Sequence, residues 1–158
     1  MCSILGLIDF DNKYPSKNEV IFNLNKLLSH RGPDDEGYFN DEYIAFAFNR
    51  LSIIDLNLGN QPIIRHDIIS IFNGEIYNFK SIRQELERLN YKFKTNSDSE
   101  IIPHAFNEWG VAFVKKLSGM FSIAIYDKKN RKTYLFRDRI GIKPLYYSNI
   151  DAGLIFSS

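Results

Sequence analysis

The chain has 158 residues, 44% of them hydrophobic and 25% charged, a balance typical of one globular domain with its own core. Its 20 basic and 19 acidic side chains leave a net charge of +1, so no overall field attracts nucleic acid or an anionic membrane surface. A single cysteine excludes an internal disulfide, and the apolar opening is too short for a signal peptide or a membrane span. These features predict a cytoplasmic protein with neither a nucleic-acid nor a membrane partner.

The hydrophobic pattern predicts an α+β chain in which strands and helices alternate. Strand-like patterns occur at residues 3–9, 43–48, 68–72, 119–127, 132–137, 145–148 and 153–157. Helical spacing of apolar residues occurs at 18–29 and 79–89, and residues 30–37 have the composition of a loop. Two groups of strands separated by helices favour packed sheets with helices outside them.

A capping box, Ser97-Asp98-Ser99-Glu100, predicts the start of a third helix and places Asp98 in its first turn. Pro103 falls inside this helix, and we expect it to distort the helix or to delay its regular start, because proline lacks the backbone N–H.

Cys2 is the only cysteine and directly follows the initiator Met1. If Met1 is removed, one residue carries both a thiol, with an ordinary pKa near ~8.5, and an α-amine, with an ordinary pKa near ~7.7–8.0. A terminal amine is a known base for activating the nucleophile of its own residue. The alternative is that the position of this cysteine is accidental.

Three polar motifs stand out from the apolar background. Residues 49–55 carry Arg50 between strand-like segments, where a guanidinium can hold a carboxylate with two hydrogen bonds. Residues 73–78, Asn-Gly-Glu-Ile-Tyr-Asn, follow a predicted buried strand, and the Asn–Gly pair can supply an amide and a backbone N–H to an oxyanion. The capping box adds acidic groups at a helix start. Each motif also has a structural interpretation: a surface ion pair, a hairpin turn and a helix cap.

Together with Cys2, these motifs resemble one family. The segments that carry the resemblance are Met1-Cys2-Ser3-Ile4-Leu5-Gly6, His30-Arg31-Gly32-Pro33-Asp34, Arg50-Leu51-Ser52-Ile53, Asn73-Gly74-Glu75-Ile76-Tyr77-Asn78, Ser97-Asp98 and residues 137–147. They are similar to the glutaminase domain of glutamine-hydrolysing asparagine synthetases, a class II glutamine amidotransferase domain. The resemblance covers residues 1–158 and implies a four-layer αββα sandwich of the N-terminal nucleophile (Ntn) hydrolases, with two mainly antiparallel sheets.

The resemblance implies a glutaminase half-reaction. Cys2 would attack the side-chain amide of glutamine with its own amine as base, and Asn73 and the Gly74 N–H would stabilise the oxyanion. No metal or organic cofactor is implied for this domain; ATP and Mg²⁺ are expected only in a synthetase domain.

The resemblance also implies a site for free glutamine. Arg50 would bind the α-carboxylate, and Asp98 and Glu75 would bind the α-ammonium group. Backbone groups around Leu51 and Ile53 would complete the site.

The expected partners are glutamine and a synthetase domain in cis or in trans, with a homodimer as a further possibility. The sequence contains no signature of such a synthetase domain, so an excised domain and a natural truncation are both expected explanations. Two other functions remain open: a catalytically silent module that binds a partner, and the glutaminase domain of a sister amidotransferase.

Overall fold

The structure is a computed structural model that describes residues 2–51 and 59–158. The described residues form nine strands and three α-helices. The strands are β1 (Ser3–Asp9), β2 (Asp35–Asn40), β3 (Ile44–Arg50), β4 (Ile63–Arg65), β5 (Ile68–Ile76), β6 (Gly119–Asp127), β7 (Lys132–Arg137), β8 (Tyr146–Ile150) and β9 (Gly153–Ser157). The helices are α1 (Lys17–Leu27), α2 (Phe79–Arg88) and α3 (Ile101–Trp109). Within these residues, no helix combines the length and the hydropathy needed to cross a membrane.

The strands form two antiparallel sheets. The first has five strands in the order β2-β3-β1-β9-β8, and the second has four in the order β4-β5-β6-β7. In the first sheet Ser3 pairs with Asn49, so the start of β1 lies beside the end of β3. This pairing brings the residue before Ser3 and the residue after Asn49 to the same end of the sheet.

Alternating side chains divide the core into layers, because successive residues of a strand face opposite sides of a sheet. Ile4 of β1, Phe46 of β3 and Ile71 of β5 belong to the cluster between the two sheets. Leu5 and Leu7 face the other way and pack with Ile21 of α1.

The outer face of the second sheet is covered by α2 and α3. Phe72 of β5 and Ile123 of β6 pack there with Leu86 of α2 and with Ile102 and Ala105 of α3. The order of layers is therefore helix, sheet, sheet, helix, which confirms the predicted α+β four-layer sandwich.

Strand β4 and a 3₁₀ helix at Gly110–Lys116 have no predicted counterpart. The predicted elements otherwise agree with the structure to within one or two residues at their ends, except in three places. Residues 30–37 are only partly a loop, since a 3₁₀ turn covers Ser29–Arg31 and β2 begins at Asp35. Strand β5 does not end at residue 72 but continues to Ile76, so the Asn73-Gly74 pair lies inside a strand. The third helix begins as a 3₁₀ turn, Asp98–Glu100, before α3 starts at Ile101.

The position of Pro103 explains why α3 tolerates a proline. It is the third residue of the helix, where a backbone N–H has no partner within the helix, so the missing donor costs little. The delayed regular start that Pro103 predicts is confirmed.

Candidate active site

A cleft lies at the end of the sandwich where β1 begins and β3 ends. It encloses about 450 Å³ of empty space, part of which is open to solvent. Its lining includes these residues predicted for the site: Cys2, Arg50, Leu51, Gly74, Glu75 and Asp98. Segments that are up to 96 residues apart in the sequence therefore meet in one cavity, as Cys2 and Asp98 do.

Cys2 lies at the inner end of this cleft, immediately before β1. Its side chain is partly buried and packs against the cluster between the sheets. The Leu51 N–H donates to Cys2 Sγ at 3.3 Å, and Sγ lies 3.5 Å from the Leu51 carbonyl oxygen. These two contacts fix the position of the sulfur beside the Leu51 backbone.

Arg50 is the last residue of β3 and is only 5% exposed. Its Nη1 donates to Asn60 Oδ1 at 2.6 Å, and its carbonyl oxygen accepts from the Asp34 N–H at 3.0 Å. A guanidinium carries five donors in one plane, a geometry that suits two-point recognition of a carboxylate.

Gly32 permits the loop before β2 to pack against the Arg50 backbone. A Cβ at Gly32 would lie 2.4 Å from the Asn49 carbonyl carbon and 2.6 Å from the Arg50 nitrogen. Any larger residue would push this loop away from the strand that carries Arg50.

Asn73 and Gly74 occupy adjacent positions of β5. Asn73 is buried, and its Nδ2 donates to Ser158 Oγ at 3.1 Å. A Cβ at Gly74 would lie 2.0 Å from the Met120 carbonyl oxygen, and the φ angle of +156° also disfavours other residues. Glycine is therefore required for β6 to approach β5 at this point, which explains why an Asn–Gly pair occurs in a strand instead of a turn.

Asp98 contributes a buried carboxylate to the cleft, since it is 5% exposed. Burial is the main cause that raises the pKa of Asp98 to about 6; the nearby Glu75 carboxylate contributes to the rise, and a hydrogen bond from the Ile76 N–H, at 3.0 Å, opposes it. A buried carboxylate beside a second acidic group is an incomplete charge arrangement that a bound cation would complete.

Glu100 holds the segment that presents Asp98. Its buried carboxylate accepts from the Lys94 N–H at 3.1 Å and from the Thr95 N–H at 2.7 Å. It also pairs with Arg65 at 2.6 Å. Burial alone would raise the pKa of Glu100, but hydrogen bonds from Thr95 and Arg65 bring it below the ordinary value.

The expected capping box is only half formed. Ser97 is the N-cap, as predicted, and its Oγ accepts from the Ser99 N–H at 3.3 Å. Glu100 turns instead toward residues 94–95, and the Ser97 N–H donates to Thr95 Oγ1 at 3.2 Å. Glu100, which the motif predicts as a capping residue, therefore binds the backbone of the preceding loop instead.

The structure adds residues that the sequence did not single out. Gln61 lines the cleft and clamps β5 through both ends of its amide: its Oε1 accepts from the Phe72 N–H at 2.6 Å and its Nε2 donates to the Phe72 carbonyl oxygen at 3.1 Å. Ser99 also lines the cleft. Ile53, predicted to contact the substrate, lies outside the described residues.

The three histidines lie away from this site. His66 Nε2 is 3.1 Å from His104 Nδ1, and both pack near Tyr91. Burial, with His66 adding to the effect, lowers the pKa of His104 to about 4. His30 contacts the carbonyl oxygen of Leu27 on the surface. None of the described residues that line the cleft is a histidine, so no imidazole in this lining is available as a general base.

The four-layer αββα sandwich, with Cys2 immediately before the central strand of the first sheet, is the fold predicted from the sequence. The solved structure of a Bacillus subtilis glutamine phosphoribosylpyrophosphate amidotransferase, complexed with ADP and GMP, superposes with a TM-score of 0.79 at 15% identity. The match covers 99% of this chain and 41% of that one. At this identity the likeness shows the fold alone, and it confirms the predicted fold class.

The chain belongs to the glutamine amidotransferase domain family, which it matches over residues 1–158. It is 46% identical to asparagine synthetase [glutamine-hydrolyzing] 2 of Bacillus subtilis (strain 168), a match that covers 100% of this chain and 21% of that protein. Asparagine synthetase B [glutamine-hydrolyzing] of Escherichia coli (strain K12) is 36% identical over 99% of this chain and 28% of its own length. The chain thus spans about a quarter of these relatives and matches their glutamine amidotransferase part, which confirms the predicted family.

Proposed function

We propose that this chain hydrolyses the side-chain amide of free glutamine through a thioester on Cys2, after removal of Met1. The observation that carries the proposal is the single cleft that joins Cys2 to Arg50, Gly74 and Asp98. Membership of the glutamine amidotransferase family supports the same reaction.

The proposed reaction uses the two groups of one residue in turn. The Cys2 amine takes the thiol proton, the thiolate attacks the amide carbon, and Asn73 Nδ2 and the Gly74 N–H hold the oxyanion. The amine then gives its proton to the leaving nitrogen, the C–N bond breaks and ammonia departs. Water attacks the thioester as the amine takes its proton, the C–S bond breaks, the proton returns to the sulfur and glutamate leaves. Such preorganised donors act in the transition state, where charge develops.

Substrate selection in this proposal depends on the charged α-groups of glutamine. Arg50 binds the α-carboxylate, Asp98 and Glu75 bind the α-ammonium group, and backbone groups of Leu51, with Ile53, complete the site. The buried carboxylate of Asp98 supports this assignment, because an ammonium group compensates the cost of its burial.

We expect the chain to release glutamate from free glutamine and to reject analogues with a blocked α-group. Nα-acetylglutamine lacks the ammonium charge and glutamine α-amide lacks the carboxylate, so each should show kcat/KM at least ~100-fold lower. Side-chain hydrolysis releases one ammonia from each of the three substrates, so an ammonia assay measures all of them, and a glutamate assay confirms the product from glutamine. Equal turnover of glutamine and Nα-acetylglutamine would contradict the proposed site, and no glutamate release at all would favour a silent binding module.

A second expectation concerns the pH dependence of glutamine binding. Asp98 is ionised above about pH 6 and becomes protonated below it, so it attracts an ammonium group only on the alkaline side. We expect Asp98→Asn to lower kcat/KM about 10- to 100-fold at pH 7.5, the range of a hydrogen bond to a charged group. The ratio of wild-type to variant kcat/KM should fall toward unity as the pH drops below 6.

The stability of the same variant provides the control. The folded-state pKa of Asp98 is raised above its unfolded value, so its stabilising contribution is complete at low pH and is lost as the pH rises through about 6. Asp98→Asn should therefore unfold at a higher temperature than the wild type at pH 7.5, although its activity is lower. A ratio of kcat/KM that does not change with pH would refute the role assigned to Asp98.

We also propose that the released ammonia serves an asparagine-synthetase-type amidation on a synthetase domain, in cis or in trans. Support comes from relatives about four times longer than this chain that are named as asparagine synthetases. In this proposal the glutaminase step uses no metal or organic cofactor, and ATP and Mg²⁺ belong to the synthetase step. A reducing cytoplasm suits an enzyme that depends on a free thiol, and a homodimer is compatible with the proposal.

A further inference from the structure

We infer that Ser158 is a positioning residue for the oxyanion site, since its hydroxyl aligns the amide of Asn73 with the strand that begins after Cys2. This inference deepens the proposed function and rests on it. Ser158 belongs to none of the motifs from which the site was predicted.

The Ser158 hydroxyl joins the two sheets at the level of the cleft. Its Oγ accepts from the Ile4 N–H at 3.1 Å, and Ile4 lies in β1 of the first sheet. The same Oγ accepts from Asn73 Nδ2 at 3.1 Å, and Asn73 lies in β5 of the second sheet. One oxygen atom thus receives a donor from the nucleophile strand and a donor from the oxyanion strand.

Ser158 is itself held firmly in place. Its N–H donates to the Ile4 carbonyl oxygen at 3.0 Å, which continues the pairing of β9 with β1 by one residue. Arg31 Nη1 donates to the Ser158 carbonyl oxygen. The side chain is 5% exposed, so water competes little for its hydroxyl.

The bond restricts the orientation of a catalytic donor. An asparagine amide has two N–H bonds, and a buried amide with no fixed partner can rotate its donors away from a substrate. One N–H of Asn73 is engaged by Ser158, and the other is the donor that the proposed function assigns to the oxyanion. Because the hydroxyl also accepts from Ile4, two residues after Cys2, the position of the amide is tied to the position of the nucleophile.

The inference predicts that removal of the Ser158 hydroxyl lowers kcat and leaves the binding of glutamine nearly unchanged. Ser158→Ala should lower kcat about 5- to 30-fold, the range expected for one hydrogen bond, and change KM for glutamine less than about 2-fold. Ser158→Thr keeps the hydroxyl and should retain kcat within about 3-fold. The matched control is Ser157→Ala, whose side chain faces the opposite side of β9; its kcat should match that of the wild type.

A double-mutant cycle with Asn73→Ala separates positioning from a general effect on the fold. If Ser158 acts through Asn73, Ser158→Ala should lower kcat less than about 2-fold once the amide is absent. The assay is glutamate release by the full chain, with thermal unfolding recorded for every variant.

Several results would overturn the inference: full additivity in the cycle, a rise in KM without a fall in kcat, a loss in Ser158→Thr equal to that in Ser158→Ala, or unfolding of Ser158→Ala at the assay temperature. Failure of the proposed function is recognised separately, because in that case the unmodified chain releases no glutamate.

Discussion

Cys2→Ala is expected to abolish glutamate release, with a fall in kcat of at least about 10⁴-fold, because no other residue can form the thioester. The chain has a single cysteine, so no second thiol can replace it. The measurement is steady-state glutamate release, compared with an enzyme-free control.

The fold should survive this substitution. The Cys2 side chain lies at the edge of the cluster between the sheets and is only partly buried, so its truncation should lower the unfolding temperature by less than about 4 °C. Glutamine binding should also persist, because Arg50 and Asp98 remain; thermal stabilisation by added glutamine tests this. Substantial glutamate release by Cys2→Ala would show that the nucleophile is wrongly assigned.

Asn73→Ala is expected to lower kcat by about 10²–10³-fold, the usual effect of removing one oxyanion donor. KM should change less than about 3-fold, because the oxyanion exists only in the transition state. Full kinetics at saturating glutamine measure the two parameters separately.

Asn78→Ala is the matched control within the same motif. Like Asn73, Asn78 has a hydrogen-bonded amide: its Oδ1 accepts from the Ser118 N–H at 2.9 Å and its Nδ2 donates to the Lys116 carbonyl oxygen at 2.9 Å. Asn78 follows β5, whereas Asn73 lies inside β5 next to Gly74, which lines the cleft. Its replacement should lower stability by roughly 1 kcal/mol and leave kcat within about 2-fold of wild type. If both variants lose kcat equally, the effect of Asn73 is structural and its assigned role is wrong.

Elements with a strong local pattern could be predicted from the sequence. The hairpin over 119–127 and 132–137 agrees with β6 and β7 residue for residue, because each strand has a continuous β-type pattern and a polar turn separates them. Strand β1 likewise has the predicted bounds of 3–9. In these segments the local preference and the packed structure agree.

Predictions failed where distant contacts decide the conformation. Asn73-Gly74 lies inside β5 because the Met120 backbone packs closely on Gly74, and that contact joins positions far apart in the chain. Residues 35–37, predicted as part of a loop, form the first half of β2 by pairing with β3. No local pattern contains this information.

The charged turn after β7 shows the same limitation. Arg137, Asp138 and Arg139 are adjacent charged residues, and their charge alone does not indicate which groups they contact. In the structure, the Asp138 carboxylate accepts from the Ile142 and Lys143 N–H groups at 2.8 and 2.9 Å. Arg137 and Arg139 donate to backbone carbonyl oxygens. Asp138 and Arg137 therefore hold the turn itself, whereas Arg139 ties it to the backbone of Lys115 and Leu117.

The site could be predicted in part because its residues lie in compact motifs, whereas their supports do not. Cys2, Arg50 and Asp98 each occur in a recognisable segment, and the fold brings them to one cleft. Gln61 supports that cleft through two hydrogen bonds to Phe72 of β5. Ser158 supports it through two hydrogen bonds that form only when both sheets are assembled. A lone glutamine or serine has no sequence pattern that indicates such a role.

The most direct measurement is the mass of the active chain after reaction with 6-diazo-5-oxo-norleucine, an electrophilic analogue of glutamine, followed by peptide mapping. Our account predicts one adduct on a Cys2 that has become the amino terminus, with labelling suppressed by excess glutamine. An active chain that retains Met1, or that carries the adduct at any other residue, would contradict it.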